Sequence, residues 1–135
     1  MIVFLRVVFT ATLVSMLAVT SWAGFQCPLF AVPREVATHP WFIATLSDAY
    51  WGFLTFFVWV AFKETHWLSR VTWFVAILLL GNIAMAAYCL RELFRVAPAS
   101  NSAAEILTVR HPNISRLGLA LALTGVAVIA AAARN

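Results

Sequence analysis

Asp48 has the greatest capacity for chemistry in this sequence, because it is the one carboxylate set inside an apolar run rather than at its end. Holding Asp at the centre of a helix in hydrocarbon costs roughly 2.5–3.5 kcal/mol, so such a residue requires a partner or a task. A desolvated carboxyl holds its proton more tightly, which suits a proton or small-cation site, or a general acid and base. Thr20, Thr55, Asn82 and Thr124 are polar groups within apolar runs that could join it, and Tyr50 and Tyr88 could extend the network. Counted along helices of alternating direction, Asp48 lies about 10 Å below one surface, Asn82 about 12 Å, Thr20 about 9 Å and Thr124 about 12 Å. These residues form a candidate intramembrane polar site. The plainer alternative is that Asp48 and Asn82 hydrogen-bond each other and lock the helices together, while the tyrosines mark a membrane interface.

Other chemistry is poorly supplied. His39, His66 and His111 are far apart, and no Cys/His cluster stands at metal-ligand spacing, so no metal and no cofactor is expected. There is no Gly-rich phosphate loop and no nucleophile elbow, so no catalytic residue is assigned. Glu64, His66 and Glu92 stand at the ends of apolar runs and read as solvated caps, since charge is cheap where water reaches. Cys27 and Cys89 fall on the same side of the expected bundle. A disulfide between them is geometrically conceivable, and free thiols are the simpler expectation.

The elements that must position these residues follow from hydropathy. Hydrophobic residues make up 64% of the 135 and charged residues 10%, too little charge for the surface of an ordinary globular domain. Four apolar runs are bounded by charge or proline, and they predict helices over about 3–23, 41–62, 71–91 and 117–133. A helix needs about 20 residues to cross ~30 Å of hydrocarbon, and lipid leaves strand edges without partners. The expected fold is therefore an all-α integral membrane bundle of four transmembrane helices in a single domain. It becomes three if the first run, with Arg6 before it and Ser21-Trp22-Ala23 after it, is a cleaved signal peptide. With four crossings, Arg6, Lys63, Arg70 and Arg134 would share one side and Arg34, Arg91, Arg95, Arg110 and Arg116 the other. Basic residues scattered singly in this way give no nucleic-acid footprint, and none is expected as a partner. The expected partners are the lipid bilayer, with a larger membrane complex or self-association beside it, and the expected location is a bacterial inner membrane.

Small and polar residues recur at helical spacing. Asp48, Gly52, Thr55 and Trp59 share one stripe, Asn82, Ala86 and Cys89 a second, and Gly118, Ala122 and Gly125 a third. Small residues of this kind let helix backbones approach closely.

The segments Asp48-Ala-Tyr-Trp-Gly-Phe-Leu-Thr-Phe-Phe-Val-Trp-Val-Ala-Phe-Lys-Glu64 and Leu80-Gly-Asn-Ile-Ala-Met-Ala-Ala-Tyr88 together resemble the small multi-pass membrane proteins grouped as domain of unknown function 1475. The resemblance covers about residues 1–95 and implies a helical membrane fold; it brings no activity, substrate or site. Function is thus expected to be that of a structural or accessory helical bundle that stabilises a partner. The alternatives are a proton or small-cation transport component using Asp48, and a membrane enzyme acting on a lipid or isoprenoid substrate.

Overall fold

The computed structural model of the chain describes residues 1–96 and 103–134. Among these residues there are seven α-helices and no sheet: α1 (Ile2–Gln26), α2 (Arg34–Ala37), α3 (Pro40–Lys63), α4 (Trp67–Leu80), α5 (Asn82–Arg95), α6 (Ala103–Thr108) and α7 (Arg116–Ala132). Prolines set the entry to two of them. Pro33 precedes the single turn of α2, and Pro40 occupies the first turn of α3, where its missing N–H is not required. His66 and Ser115 cap α4 and α7, their side chains accepting from the backbone N–H of Leu68 and Gly118.

The third apolar run is the main departure from expectation. It does not cross anything as one helix. Gly81 interrupts it at φ 53° and ψ −125°, a conformation open essentially to glycine alone, and two 14-residue helices leave that point. They fold back on each other. The rings of Trp73 on α4 and Tyr88 on α5 stand 4.8 Å apart, whereas on a straight helix these positions would be separated by about 22 Å. Each arm of this hairpin is only about 21 Å long, short of a ~30 Å hydrocarbon layer.

The remaining helices pack around the hairpin. α1 lies along α5, with Ile2, Leu5 and Phe9 against Leu93 and Val96, and so runs antiparallel to it. α3 packs its C-terminal half against α4 through Phe57, Val60 and their neighbours. α7 lies alongside α4 in the same direction, its buried face being Gly118, Ala122 and Gly125. A Cβ at Gly118 would sit 2.8 Å from Nε1 of the fully buried Trp73, and that close approach is what the glycine permits. The core is mixed: Val60, Trp73, Ala76, Ile77, Ala84 and Tyr88 are buried together with Lys63, Glu64, Ser69, Glu92 and His111.

These observations correct the expected bundle of four, or with a cleaved leader three, transmembrane helices. Among the described residues two helices, α1 and α3, have the length and composition of membrane spans, and an N-terminal signal sequence passes the same test as α1. Run three is a hairpin, α7 has 17 residues, and the core is built on buried ion pairs. The fold is an all-α assembly with a polar core. The multi-pass description, the lipid bilayer as principal partner with its larger membrane complex, and the bacterial inner-membrane location all rested on four spans and fall with them. The same holds for the Asp48 transport component and the enzyme acting on a membrane lipid.

Replacing Gly81 by Ala should cost about 1–3 kcal/mol, because the backbone conformation is disallowed for a side chain and its Cβ would stand 2.7 Å from the Phe53 ring. Chemical or thermal unfolding of the variant checks this. Unchanged stability would mean that the turn at Gly81 is not the one described.

Candidate functional site

The hairpin has a consequence for charge. Because α4 and α5 return to the same end, the C-termini of α3 and α5 meet the N-termini of α1, α4 and α7 there. Seven of the nine basic residues gather at that end: Arg6, Lys63, Arg70, Arg91, Arg95, Arg110 and Arg116. The sequence reading divided these between two opposite surfaces.

At the centre of this end are two buried carboxylates. Glu92 on α5 accepts from Lys63 Nζ through Oε2, and the same oxygen lies 2.8 Å from His111 Nε2. Arg95 Nη1 stands 2.6 Å from His111 Nδ1, so the network is best satisfied with Nδ1 accepting and Nε2–H donating to Glu92. Glu64, which follows α3, accepts through Oε1 from Arg91 Nη1 at 2.6 Å and from the Tyr88 hydroxyl at 3.3 Å. Lys63 Nζ also donates to the Ile106 carbonyl on α6. Aromatic faces complete the cage: Lys63 lies 5.0 Å from the Trp59 ring centroid and Arg91 5.4 Å from that of Tyr88. Tyr88 itself is enclosed edge-on by Phe56, Trp59 and Trp73.

Backbone bonds pin the 111–115 segment onto this cluster. Thr65 N–H donates to the His111 carbonyl and His111 N–H to the Lys63 carbonyl, at 3.0 and 2.8 Å. Ser115 N–H donates to Ser69 Oγ at 2.7 Å. Arg6 reaches from α1 to donate to the carbonyls of Leu93 and Val96, both at 2.8 Å, so a cation satisfies orphan carbonyls at the end of α5. Every element at this end is thus tied to its neighbours by charge or hydrogen bond.

The surroundings fix the protonation states of the buried groups. Burial alone would raise the Glu92 carboxyl, but the hydrogen bonds from Lys63 and His111 and the charge of Lys63 outweigh it and hold the group below its ordinary value. It therefore stays ionised. Burial, reinforced by the charges of Glu64 and Glu92, pushes Tyr88 well above the usual phenol range, so it stays neutral. Burial and the charge of Glu92 push the Cys89 thiol up to about 12, which removes its thiolate. No three metal-binding side chains cluster among the described residues. The arrangement is an ionic knot in which Glu92 stays charged and Tyr88 and Cys89 stay neutral.

The residues singled out from sequence are spread differently. Only Tyr88 belongs to the knot. Asp48 is exposed on α3 and makes no ion pair among the described residues, and Asn82 is exposed at the tip of the hairpin. The structure brings neither to the other as a partner. The hydroxyls of Thr20, Thr55 and Thr124 donate to carbonyls of their own helices, those of Met16, Trp51 and Ala120. Tyr50 is exposed and lines a shallow groove on α3 with Ile43, Leu46, Ser47, Trp51 and Leu54. Cys27 is an exposed free thiol and Cys89 a buried one. Lys63, Glu64, Arg91, Glu92, Arg95 and His111 were missed as a cluster, and Glu64 and Glu92 are buried rather than solvated caps. The signal available was the pairing of Lys63-Glu64 with Arg91-Glu92 at the two ends of a segment centred on Gly81.

Beside the knot, α5, the 112–115 segment and the first turn of α7 enclose an open cleft of about 510 Å³ lined by Arg91, Arg95, His111 and Arg116.

Comparison with known families matches the chain to the family described as Protein of unknown function (DUF1475), over residues 1–132. It extends through the tail beyond Val96, which the sequence resemblance left unmatched. No curated protein and no solved structure matches the chain.

Breaking the buried Lys63–Glu92 pair from one side, by Lys63→Met or Glu92→Gln, should cost about 3–5 kcal/mol, and the double variant Lys63→Met/Glu92→Gln less than the two singles combined. Glu92 binds its proton more weakly in the folded chain than in the unfolded one. The stability it contributes is complete above the unfolded carboxyl pKa and is lost as pH falls through the lower folded value. Glu92→Gln should flatten that acid limb, and an unaltered limb in denaturant titrations at several pH values would contradict the assignment. A thiol reagent at pH 8 should label Cys27 promptly and Cys89 only after unfolding; equal labelling of both in the folded chain would show that Cys89 is not sealed.

Proposed function

This chain belongs to the DUF1475 family across nearly its whole length, and from the arrangement described above we propose that it is a helical accessory module that docks onto helices of a partner protein through α1 and α3. The observation that carries this reading is the distribution of polarity. Charge is drawn into one knot, while the parts of α1 and α3 far from it present large apolar side chains outward. Phe25 is 90% exposed and Trp41 77%, and Leu17, Trp22, Trp51 and Val58 are exposed between them and the knot. Contiguous apolar surface of this kind marks an interaction site rather than an ordinary monomer surface.

The knot gives these helices a fixed base. Arg6 fastens the start of α1 to α5, and Lys63 fastens the end of α3 to Glu92. Beyond those anchors, α1 from about residue 10 and α3 before about residue 54 carry few tertiary contacts of their own and stand ready to pack against something else. From Val7 to Gln26 α1 bears no charge, and α3 bears only Asp48 before Lys63. The complementary surface is therefore an apolar helix face with one donor or cation opposite Asp48. A single polar position within an apolar seam sets register and partner choice, and that is the role this reading gives to Asp48.

Cross-linking and mild purification of the tagged full chain from its native cells tests this. A stoichiometric protein partner should be recovered, and its retention should fall at least tenfold with Trp51→Glu, an anchor change at an exposed position that the fold does not need. Asp48→Lys should abolish retention where Asp48→Asn preserves most of it. Recovery of the chain alone or with lipid only, or a partner indifferent to Trp51→Glu, would overturn the proposal.

A further inference from the structure

The cleft beside the knot holds more positive charge than the knot consumes. Of the cations around it, Lys63 is matched by Glu92 and Arg91 by Glu64. Arg95 Nη1 stands 3.9 Å from Glu92 Oε1, too far for a hydrogen bond, and leans on His111, and half of its side chain is open to the surface. Arg116, the first residue of α7, is exposed and makes no hydrogen bond or ion pair among the described residues. Among the described residues the acidic groups nearest the cleft are Glu92 and Glu64; both are buried, and each is paired with a cation through one oxygen while the other, Glu92 Oε1 and Glu64 Oε2, has no hydrogen-bond partner. Among the described residues, three guanidinium groups thus line one concave space beside two carboxylates that are each already paired with a cation.

Two further features set the sign and shape of what fits. The cleft opens over the N-terminal turn of α7, whose backbone N–H groups and dipole favour an anion. Guanidinium forks match the planar edges of phosphate oxygens and bind them in pairs, which an ammonium does not do. At about 510 Å³ the space exceeds a bare inorganic ion and accommodates a phosphate together with the group it esterifies. We propose that this cleft is a binding site for a phosphate-bearing ligand, with Arg95 and Arg116 as the principal donors, Arg91 as the rear wall and His111 as the floor. The site is independent of the docking faces of α1 and α3, which carry none of these residues.

Calorimetric titration of the full chain with inorganic phosphate, at ionic strength matched with sodium chloride, tests the assignment. Saturable binding is expected, and Arg95→Gln and Arg116→Gln should each weaken it about tenfold, as loss of a charge-assisted contact does. Arg34→Gln, at the other end of the molecule, should leave it unchanged. Arg116 is exposed and makes no hydrogen bond or ion pair among the described residues, so its variant separates ligand binding from folding. Phosphatidylglycerol vesicles distinguish the two sources of such a phosphate. Vesicle binding that phosphate competes away and Arg116→Gln weakens identifies a lipid headgroup; binding of free phosphate without vesicle binding identifies a soluble ester. Heat indistinguishable from that of chloride, or phosphate binding that survives both substitutions, would overturn the proposal.

Discussion

A buried charge that loses its partner is far more costly than a surface charge, and this fold is organised around two carboxylates that cannot be left alone. Glu64 and Glu92 are almost fully removed from the surface, and each is held by a cation from a different helix. Such pairs add little net stability over well-packed apolar residues, because desolvation offsets most of their attraction. What they impose is position. Only one relative placement of α3, α5 and the 111–115 segment lets Lys63, Glu92 and His111 meet, and a second pair with its own geometry, Arg91 and Glu64, must be satisfied at the same time. The aromatic rings of Trp59, Trp73 and Tyr88 reinforce that placement by excluding water from the pairs.

The hairpin at Gly81 is what makes the meeting possible. Were α4 and α5 continuous, Arg91, Glu92 and Arg95 would lie at the opposite end from Lys63 and Glu64, and both carboxylates would lack their partners. The turn and the knot therefore depend on each other: one brings the charges together, and the other returns enough order to hold a turn that only glycine makes readily. α7 then closes on α4 through its glycines, and α1 is drawn in by Arg6 at the end of α5. Past these anchors α1 and α3 keep much of their apolar surface uncovered, which ties the interior design directly to an external docking role.

Much of the helical content was legible in the sequence, because runs bounded by Arg6, Pro40, Lys63 and Arg116 are long, apolar and free of internal breakers. The topology was not. Gly81 lies within an apolar stretch where glycine is tolerated in a straight helix, and hydropathy alone cannot tell a crossing from a hairpin. That single ambiguity reversed the placement of Arg91, Glu92 and Arg95 and turned Glu64 and Glu92 from expected solvated caps into the centre of the core. The same ambiguity bears on Asp48 and Asn82: a shared intramembrane depth requires a straight third helix, and Asn82 instead marks the hairpin tip. Composition misled in a related way. An apolar chain reads as one whose few charges mark scattered helix ends, whereas here seven of the nine basic residues gather at one end.

The hairpin is open to a direct distance measurement. Trp67 at the start of α4 and Phe94 near the end of α5 are both exposed and accept spin labels without disturbing the core. A continuous helix would place these positions about 40 Å apart, while the folded-back pair places them within about 20 Å, two helix diameters. Pulsed electron–electron resonance on the doubly labelled chain should give a single short distance. A distribution centred near the longer value would show that the third apolar run is straight, and the ionic knot built on its return would not exist.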